Sequence, residues 1–145
     1  MLNRRLKKEF KNTDYTTENS TNNSKIIKFN YLNYNIIAKI SLDYPFKPPL
    51  ELYINNRLMD HKYFNDLPSN VKLRLYGKLI NRCCLMCDSC LCADNWAPSL
   101  KLIEVVKELI SYINMMNLAY NKEYIKKYSK LPLFPELLEE ILSYL

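Results

Sequence analysis

Residues 44–49, Tyr-Pro-Phe-Lys-Pro-Pro, restrict the possible folds of this chain more than any other segment. Proline has no backbone N–H to donate, so three prolines within five residues cannot continue a central strand of a sheet. Apolar and polar residues alternate before this segment, over 34–42, and after it, over 50–55. A further apolar run covers residues 26–30. The sequence therefore predicts a sheet in which strands 34–42 and 50–55 are joined by a proline-rich loop.

Helical periodicity lies on both sides of these predicted strands. Near the N-terminus Leu6 and Phe10 share one apolar stripe of a basic segment, and the polar run 12–24 predicts a loop or a poorly ordered hairpin. The apolar residues of 69–81 fit a helix and also fit a strand, and the helix is the preferred interpretation. The helical patterns are, in chain order, residues 3–11, 69–81, 99–115, 119–129 and 135–145. The sequence thus predicts an α+β fold in which helices cover one sheet.

The composition excludes several classes of protein. The chain has 145 residues, which suits a single domain over residues 1–145. Its one glycine, Gly77, leaves no glycine-rich loop that could bind phosphate groups. No apolar run reaches the roughly 18 residues that a membrane span needs. The net charge is +6, but no repeat of alternating aromatic and basic residues accompanies the basic clusters. We therefore expect neither a membrane nor a nucleic acid among the partners.

The five cysteines lie within ten residues of one another. They are Cys83, Cys84, Cys87, Cys90 and Cys92. A disulfide framework spreads its cysteines along the chain to close loops, so this cluster indicates reduced thiols that act locally. We therefore expect a reducing compartment, the cytoplasm or also the nucleus. Some of the five are expected to be small core residues, as unpaired cysteines often are.

A zinc site is the main alternative use of the cluster. The spacing Cys84-x-x-Cys87-x-x-Cys90-x-Cys92 supplies four thiolates, which is the number that a tetrahedral zinc site requires. Structural zinc sites usually take two pairs of ligands from two separate loops, and the sequence has no second pair. We expect no metal, and a bound zinc ion remains the alternative.

Two segments on either side of the cysteines resemble the ubiquitin-conjugating enzymes. That family has a Tyr-Pro-Phe-x-Pro-Pro turn, which residues 44–49 match, and after its active-site cysteine a Trp-Ser-Pro-Ala-Leu turn that leads into a central helix. Residues 96–100 read Trp-Ala-Pro-Ser-Leu and precede a long apolar pattern. Residues 5–10, Arg-Leu-Lys-Lys-Glu-Phe, are similar to the first helix of the family. The family's His-Pro-Asn segment has no counterpart, since residues 76–81 read Tyr-Gly-Lys-Leu-Ile-Asn.

The resemblance implies a fold with an N-terminal helix, a four-stranded antiparallel sheet, and central and C-terminal helices packed on the sheet. It covers residues 3–11 and 26–116 of a single domain. Residues 57–75 are an insertion relative to the family, and residues 117–145 form a divergent C-terminal region of helices. The turn after residue 96 is expected beside the cysteine loop.

The resemblance also implies an activity. A ubiquitin-conjugating enzyme accepts ubiquitin or a ubiquitin-like protein as a cysteine thioester and passes it to a lysine of a protein substrate. The partners would then be that modifier, its activating enzyme, a ubiquitin ligase and the substrate. No cofactor is expected, because ATP is used by the activating enzyme. The alternative is a catalytically inactive ubiquitin-conjugating variant or an RWD-like module that only binds other proteins, which the missing His-Pro-Asn segment favours.

The position of the nucleophile follows from the distance to Trp96. The family places its cysteine eight residues before that tryptophan, where this sequence has Asp88. One inserted residue in the loop makes Cys87 the predicted nucleophile. Cys84, Cys90 and Cys92 remain alternatives.

Attack of a lysine amine on the thioester needs a donor to the developing oxyanion and a group that accepts the proton. Because the family asparagine is absent, the candidates come from the neighbourhood of the cysteines. Asn81, Ser89 and Asn95 are candidate donors. Asp88 and Asp94 are candidates to orient the incoming amine.

Partner-binding residues are implied at two places. Arg4, Arg5 and Lys8 of the first helix are expected to meet the activating enzyme. Phe46 and Pro98, in the two proline-containing turns, are expected to meet a ligase, because rigid turns present apolar side chains to transient partners. The alternative for Phe46 is a place in the core under the turn.

Overall fold

A computed structural model describes residues 2–20, 23–76 and 85–128 of the chain. The helices are α1 (Leu2–Glu9), α2 (His61–Asn65), α3 (Ser69–Tyr76), α4 (Leu85–Asp88) and α5 (Leu102–Tyr128). The strands are β1 (Tyr15–Ser20), β2 (Ser24–Tyr31), β3 (Tyr34–Ser41), β4 (Glu51–Ile54) and β5 (Arg57–Leu58). The α+β class predicted from the sequence is confirmed.

The five strands form one antiparallel sheet in the order β1-β2-β3-β4-β5. The predicted pairing across the proline-rich loop is confirmed, because Ile36 pairs with Ile54 and Ala38 with Leu52. The sheet has five strands among the described residues, one more than the four that the resemblance implied. Both edge strands were hard to read from the sequence for a physical reason: they are short or largely polar, so they lack the apolar alternation that marks a half-buried strand.

Strand β1 lies in the polar run for which a loop or a poorly ordered hairpin was expected. Its sequence is Tyr-Thr-Thr-Glu-Asn-Ser, and it pairs with β2 from Tyr15 opposite Phe29 to Ser20 opposite Ser24. Strand β5 has two residues and follows β4 through a turn at Asn55 and Asn56, whose φ angles of 50° and 63° suit asparagine.

One face of the sheet packs against the helices and forms the core. Its fully buried residues are Ile27, Ile36, Ala38, Ile40 and Leu52, and the facing residues of α5 are Leu102, Val105, Val106 and Leu109. Leu6 and Phe10 are buried in the same core, as their spacing predicted. At the far end of the sheet the Tyr34 hydroxyl lies 3.3 Å from the Asn114 side-chain oxygen, so α5 crosses the sheet as expected.

Helix α5 is longer than predicted. Two helices, over 99–115 and 119–129, were expected, but one helix of 27 residues runs from Leu102 to Tyr128. No proline or glycine interrupts it, and the buried Met116 and Ala119 continue its apolar stripe through the expected break. No helix in the described part of the chain is long and apolar enough to cross a membrane.

Residues 57–75, which the resemblance implied to be an insertion, contribute β5, the short helix α2 and most of α3. Helix α3 covers Ser69–Tyr76, so the helical interpretation of 69–81 is confirmed and the strand alternative is wrong over these eight residues. The described residues do not include 77–81, and therefore not Asn81. Cys83, Cys84 and the helix expected over 135–145 lie outside them as well.

Candidate functional site

The two segments that carry the resemblance contact each other. The indole Nε1–H of Trp96 donates a hydrogen bond to the carbonyl oxygen of Pro45 at 2.7 Å. The rings of Trp96 and Tyr44 lie 5.9 Å apart, centroid to centroid. The proline-rich loop and the turn before α5 are therefore held together at one end of the sheet, next to the cysteine loop that begins at α4.

A buried carboxylate, Glu9, ties α1 to both segments. The Tyr44 hydroxyl donates to Glu9 at 2.8 Å from Oε1 and 3.0 Å from Oε2. The backbone N–H of Leu102, the first residue of α5, also donates to Glu9. The Glu9 side chain is 0 % exposed. Burial, and then the charge of Glu9, raise the pKa of the Tyr44 hydroxyl far above its usual range, so this tyrosine stays protonated and donating.

Arg5 continues the same contact. Its Nε atom lies 3.5 Å from Glu9 Oε2, and its Nη2 donates to the carbonyl oxygens of Pro98 at 3.3 Å and Leu100 at 2.9 Å. The arginine thus partly balances the buried charge and fixes the backbone of the turn that follows Trp96. Sequence reasoning assigned Arg5 to a partner surface and did not foresee this internal contact.

The cysteine loop is a series of tight turns after α4. Backbone hydrogen bonds join Ser89 to Met86 at 3.2 Å, Cys92 to Ser89 at 3.0 Å and Asn95 to Cys92 at 3.0 Å. The Asn95 side-chain amide donates to two carbonyl oxygens of the loop, that of Cys87 at 2.8 Å and that of Ser89 at 3.2 Å. Asn95 therefore stabilises the loop from within.

Glu108 of α5 holds the loop from the helix side. Its Oε2 accepts hydrogen bonds from the Ser89 hydroxyl and from the Cys90 backbone N–H, both at 2.9 Å. The Tyr112 hydroxyl donates to its Oε1 at 3.1 Å. Ser89 is 0 % exposed, and its hydroxyl oxygen also accepts from the Leu91 N–H at 3.0 Å. Sequence reasoning missed Glu108, because no spacing rule connects a helix residue to a loop 19 residues earlier.

The described cysteines differ in their access to solvent. Cys87, at the end of α4, is exposed, whereas Cys90 and Cys92 are half-buried, and none of the three is in a disulfide. Burial raises the pKa of the Cys90 thiol, and the charge of Glu108 with its hydrogen bond raises it further. Cys87 is therefore the described thiol that a large partner reaches most easily, and Cys90 is disfavoured as a thiolate.

The other predicted site residues are on the surface. Asp88 and Asp94 are exposed at either end of the cysteine loop. Phe46 is 69 % exposed, so the alternative that placed it in the core is wrong. Pro98 is also exposed. The two residues are on the turns that the hydrogen bond between Trp96 and Pro45 joins.

The exposed face of α1 is basic. Arg4, Lys7 and Lys8 are exposed there, and Lys11, just after the helix, is exposed as well. Glu9 is the one acidic residue of this helix, and its carboxylate is directed into the protein. An acidic partner surface would thus meet cations without a competing acidic side chain on α1.

Within residues 2–20, 23–76 and 85–128, no group of three or more histidine, cysteine, aspartate or glutamate side chains is arranged to hold a metal ion. Cys84, one of the four cysteines of the zinc hypothesis, lies outside these ranges.

The chain was compared with protein-family models, with curated proteins and with solved structures, and none of the three comparisons finds a match.

Proposed function

We propose that this protein is a divergent ubiquitin-conjugating enzyme that carries ubiquitin or a ubiquitin-like protein as a thioester on Cys87. The observation that carries the proposal is the contact between Trp96 and Pro45. It joins the two segments that resemble the family, with an exposed cysteine in the loop that precedes the tryptophan. The sheet pairing across the proline-rich loop and the long helix after residue 100 agree with that fold.

The first step is an exchange between two thiols. The Cys87 thiolate attacks the carbonyl carbon of the modifier's thioester on its activating enzyme, and the activating enzyme's cysteine leaves as a thiolate. This exchange needs an accessible thiol and a docked partner, and little else from the protein. The exposure of Cys87 suits the first requirement. The basic face of α1, with Arg4 and Lys8, suits docking of an acidic surface on the activating enzyme.

The second step is transfer to a lysine. The lysine amine attacks the Cys87 thioester carbonyl, the amine gives up a proton, and Cys87 leaves as a thiolate. Asp88, which follows Cys87 in sequence, and Asp94, at the other end of the cysteine loop, are exposed and are the carboxylates that would orient the amine and accept its proton. Phe46 and Pro98 are exposed on the joined turns and would form the ligase surface.

The loop geometry bears on which side chains can donate a hydrogen bond to the oxyanion. Ser89 is buried and bonded to Glu108, and the Asn95 amide is bonded to two loop carbonyls. Both therefore act as supports of the loop in this proposal. Asn81, the third candidate donor, lies outside the described residues and stays a prediction from the sequence.

The second candidate is a binding module with the same fold and no transfer activity. The hydrogen bonds of Ser89 and Asn95 favour it, because two of the three candidate oxyanion donors are already bonded to Glu108 or to loop carbonyls. The same exposed residues, Phe46 and Pro98, would then serve only for docking.

The test is a loading reaction with an activating enzyme, ATP and ubiquitin, extended to ubiquitin-like proteins. We expect a product heavier by one modifier that a thiol reductant removes, because excess thiol exchanges with a thioester and leaves an isopeptide bond intact. Cys87→Ser should give a product that resists the reductant, since an ester replaces the thioester. Cys87→Ala should give none, while Cys92→Ala, the matched control from the same loop, should load within about threefold of the parent. Normal loading of Cys87→Ala would move the nucleophile to another cysteine of the loop. Normal loading of all five single cysteine variants, or no loading of the parent with any modifier, would favour the binding module.

A further inference from the structure

Two thiols of the cysteine loop, Cys87 and Cys90, are three residues apart and differ in what surrounds them. Cys87 is exposed at the end of α4. Cys90 is half-buried, and its backbone N–H is bonded to the Glu108 carboxylate at 2.9 Å. A loop that carries a thioester on one cysteine must keep the modifier from moving to the other.

The unwanted reaction is chemically simple. A Cys90 thiolate would attack the thioester carbonyl on Cys87, form a new thioester on Cys90 and release Cys87 as a thiolate. Thiol–thioester exchange of this kind has no large driving force in either direction, so its rate depends on how much Cys90 is ionised and how freely it moves. Both quantities are under the control of groups that contact Cys90.

Glu108 restrains the segment around Cys90 by two hydrogen bonds, which its carboxylate accepts from the Ser89 hydroxyl and from the Cys90 N–H. The Tyr112 hydroxyl, on the same helix as Glu108, also donates to this carboxylate. The Ser89 oxygen in turn accepts from the Leu91 N–H. The backbone is thereby fixed before, at and after Cys90.

The same carboxylate acts on the thiol by its charge. Among the described residues, the charged groups that act on Cys90 are Glu108 and, more weakly, Glu104, both on α5. Burial, these negative charges and the Glu108 hydrogen bond raise the pKa of the Cys90 thiol, and a backbone hydrogen bond at Cys90 opposes them more weakly than burial and Glu108 act. No cation of the described residues forms an ion pair with Glu108.

We propose that Glu108 is a positioning residue that selects between the two thiols: its hydrogen bonds to Ser89 and Cys90 hold the Cys90 segment against α5, so that the exposed Cys87 alone takes part in thioester exchange. The selection of the acylated cysteine rests on the proposed function. The difference in reactivity between the two thiols is independent of the proposed function, because it can be measured without any modifier.

The first test is alkylation of the full-length chain by iodoacetamide, with each cysteine quantified by mass spectrometry over a series of pH values. In the parent we expect the exposed Cys87 to react faster than Cys90, and the pH midpoint of Cys90 to lie above that of a cysteine in the urea-unfolded chain. A Cys90 midpoint equal to or below the unfolded one would overturn the proposal without any variant.

The variant is Glu108→Gln, which keeps a side-chain oxygen as acceptor and removes the charge. We expect the alkylation rate of Cys90 at about pH 8 to rise roughly five- to tenfold, because a lower pKa increases the thiolate fraction, while the Cys87 rate changes less than about twofold. Glu104→Gln is the matched control on the same helix and should change Cys90 by less than about twofold. An unchanged Cys90 rate, or an equal rise of both rates from general opening of the loop, would contradict the proposal.

The second test locates the thioester. In the parent it should lie on Cys87, and in Glu108→Gln it should be shared between Cys87 and Cys90. If the variant carries it on Cys87 alone, the selection proposal fails and the proposed function stands. If the parent accepts no modifier, the proposed function fails, and with it the role in thioester selection, while the alkylation result alone decides whether Glu108 controls thiol reactivity.

Discussion

Two glutamates, Glu9 and Glu108, organise neighbouring parts of this protein in different ways. Glu9 is fully buried, receives hydrogen bonds from Tyr44 and from the start of α5, and lies 3.5 Å from the Arg5 guanidinium. Glu108 is half-buried and accepts hydrogen bonds from a hydroxyl and a backbone N–H of the cysteine loop, and no cation of the described residues forms an ion pair with it. The first carboxylate is partly balanced by Arg5 and joins distant parts of the fold, whereas the second acts on a thiol.

The difference follows from what each carboxylate contacts. Around Glu9 the contacts join elements far apart in sequence, since Glu9 and Leu102 are 93 residues apart. Around Glu108 the contacts stay within one loop and one helix. Removal of Glu9 should therefore lower the stability of the whole domain, while removal of Glu108 should change the loop more than the domain.

The largest expected effect is that of Glu9→Ala. The substitution leaves the Tyr44 hydroxyl, the Leu102 N–H and part of the Arg5 charge without their acceptor inside the protein. We expect the free energy of unfolding to fall by about 3–5 kcal/mol, which is usual when one partner of a buried pair is removed. Urea unfolding followed by circular dichroism measures it.

The control for this variant is Glu104→Ala. Glu104 also accepts a backbone hydrogen bond at the start of α5, from the Lys101 N–H at 2.9 Å, but it is exposed. Loss of this capping contact should cost roughly 1 kcal/mol. Equal losses in the two variants would show that the buried Glu9 cluster is no more important than an ordinary helix cap.

A smaller effect is expected for Glu108→Ala. It removes the acceptor of the Ser89 hydroxyl and the Cys90 N–H, but water can reach the half-buried site and replace part of what is lost. We expect a loss of about 1–2 kcal/mol in the free energy of unfolding. Hydrogen exchange of the Cys90 and Leu91 amides should accelerate more than that of the sheet.

The distinction between a glutamate that fixes the fold and one that acts on the cysteine loop would be wrong if Glu108→Ala were as destabilising as Glu9→Ala. It would also be wrong if Glu9→Ala, under conditions where the domain is still folded, changed the ratio of Cys90 to Cys87 alkylation. Each result would mean that the two carboxylates belong to one cooperative network.

The sequence was sufficient for the elements that depend on periodicity. Alternation located β3 and β4, an apolar run located β2, and the Leu6 and Phe10 spacing located α1 and its buried stripe. The proline-rich segment predicted the loop that joins β3 to β4. These features are local, so a window of ten residues contains the information that specifies them.

Residue periodicity does not predict the contacts around Glu9 and Glu108. A glutamate in a basic helix and a glutamate beside an apolar stripe both look like solvated side chains when only their neighbours are considered. Their partners are fixed by tertiary packing, as are Asn95 and Ser89, which sequence reasoning took for oxyanion donors and which bond to the loop or to Glu108. The polar strand β1 was missed because its identity comes from pairing with β2.

The smallest effect concerns a third carboxylate, Glu51 on the open face of the sheet, and it tests whether burial is what separates the other two. Glu51 accepts from Lys39 at 3.0 Å and from the Tyr53 hydroxyl at 2.9 Å, and its side chain is 38 % exposed. The hydrogen bond from Lys39, and then that from Tyr53, lower the pKa of Glu51. A carboxyl whose pKa is lower in the folded state stabilises the protein above its unfolded pKa, and this contribution is lost as the pH falls through the folded pKa.

Because solvent screens this pair, the contribution should be no more than about 0.5 kcal/mol at neutral pH. We expect Glu51→Gln to unfold at slightly lower urea concentration than the parent near pH 7. The difference should shrink as the pH falls below about 4, where the unfolded carboxyl takes up its proton, and vanish once the folded one is protonated too. Added salt at about 0.5 M should reduce it as well, since the pair is open to solvent. A difference above about 2 kcal/mol, or one that persists in acid, would mean that an exposed carboxylate can hold this fold as firmly as Glu9, and burial would no longer explain the contrast between the two regions.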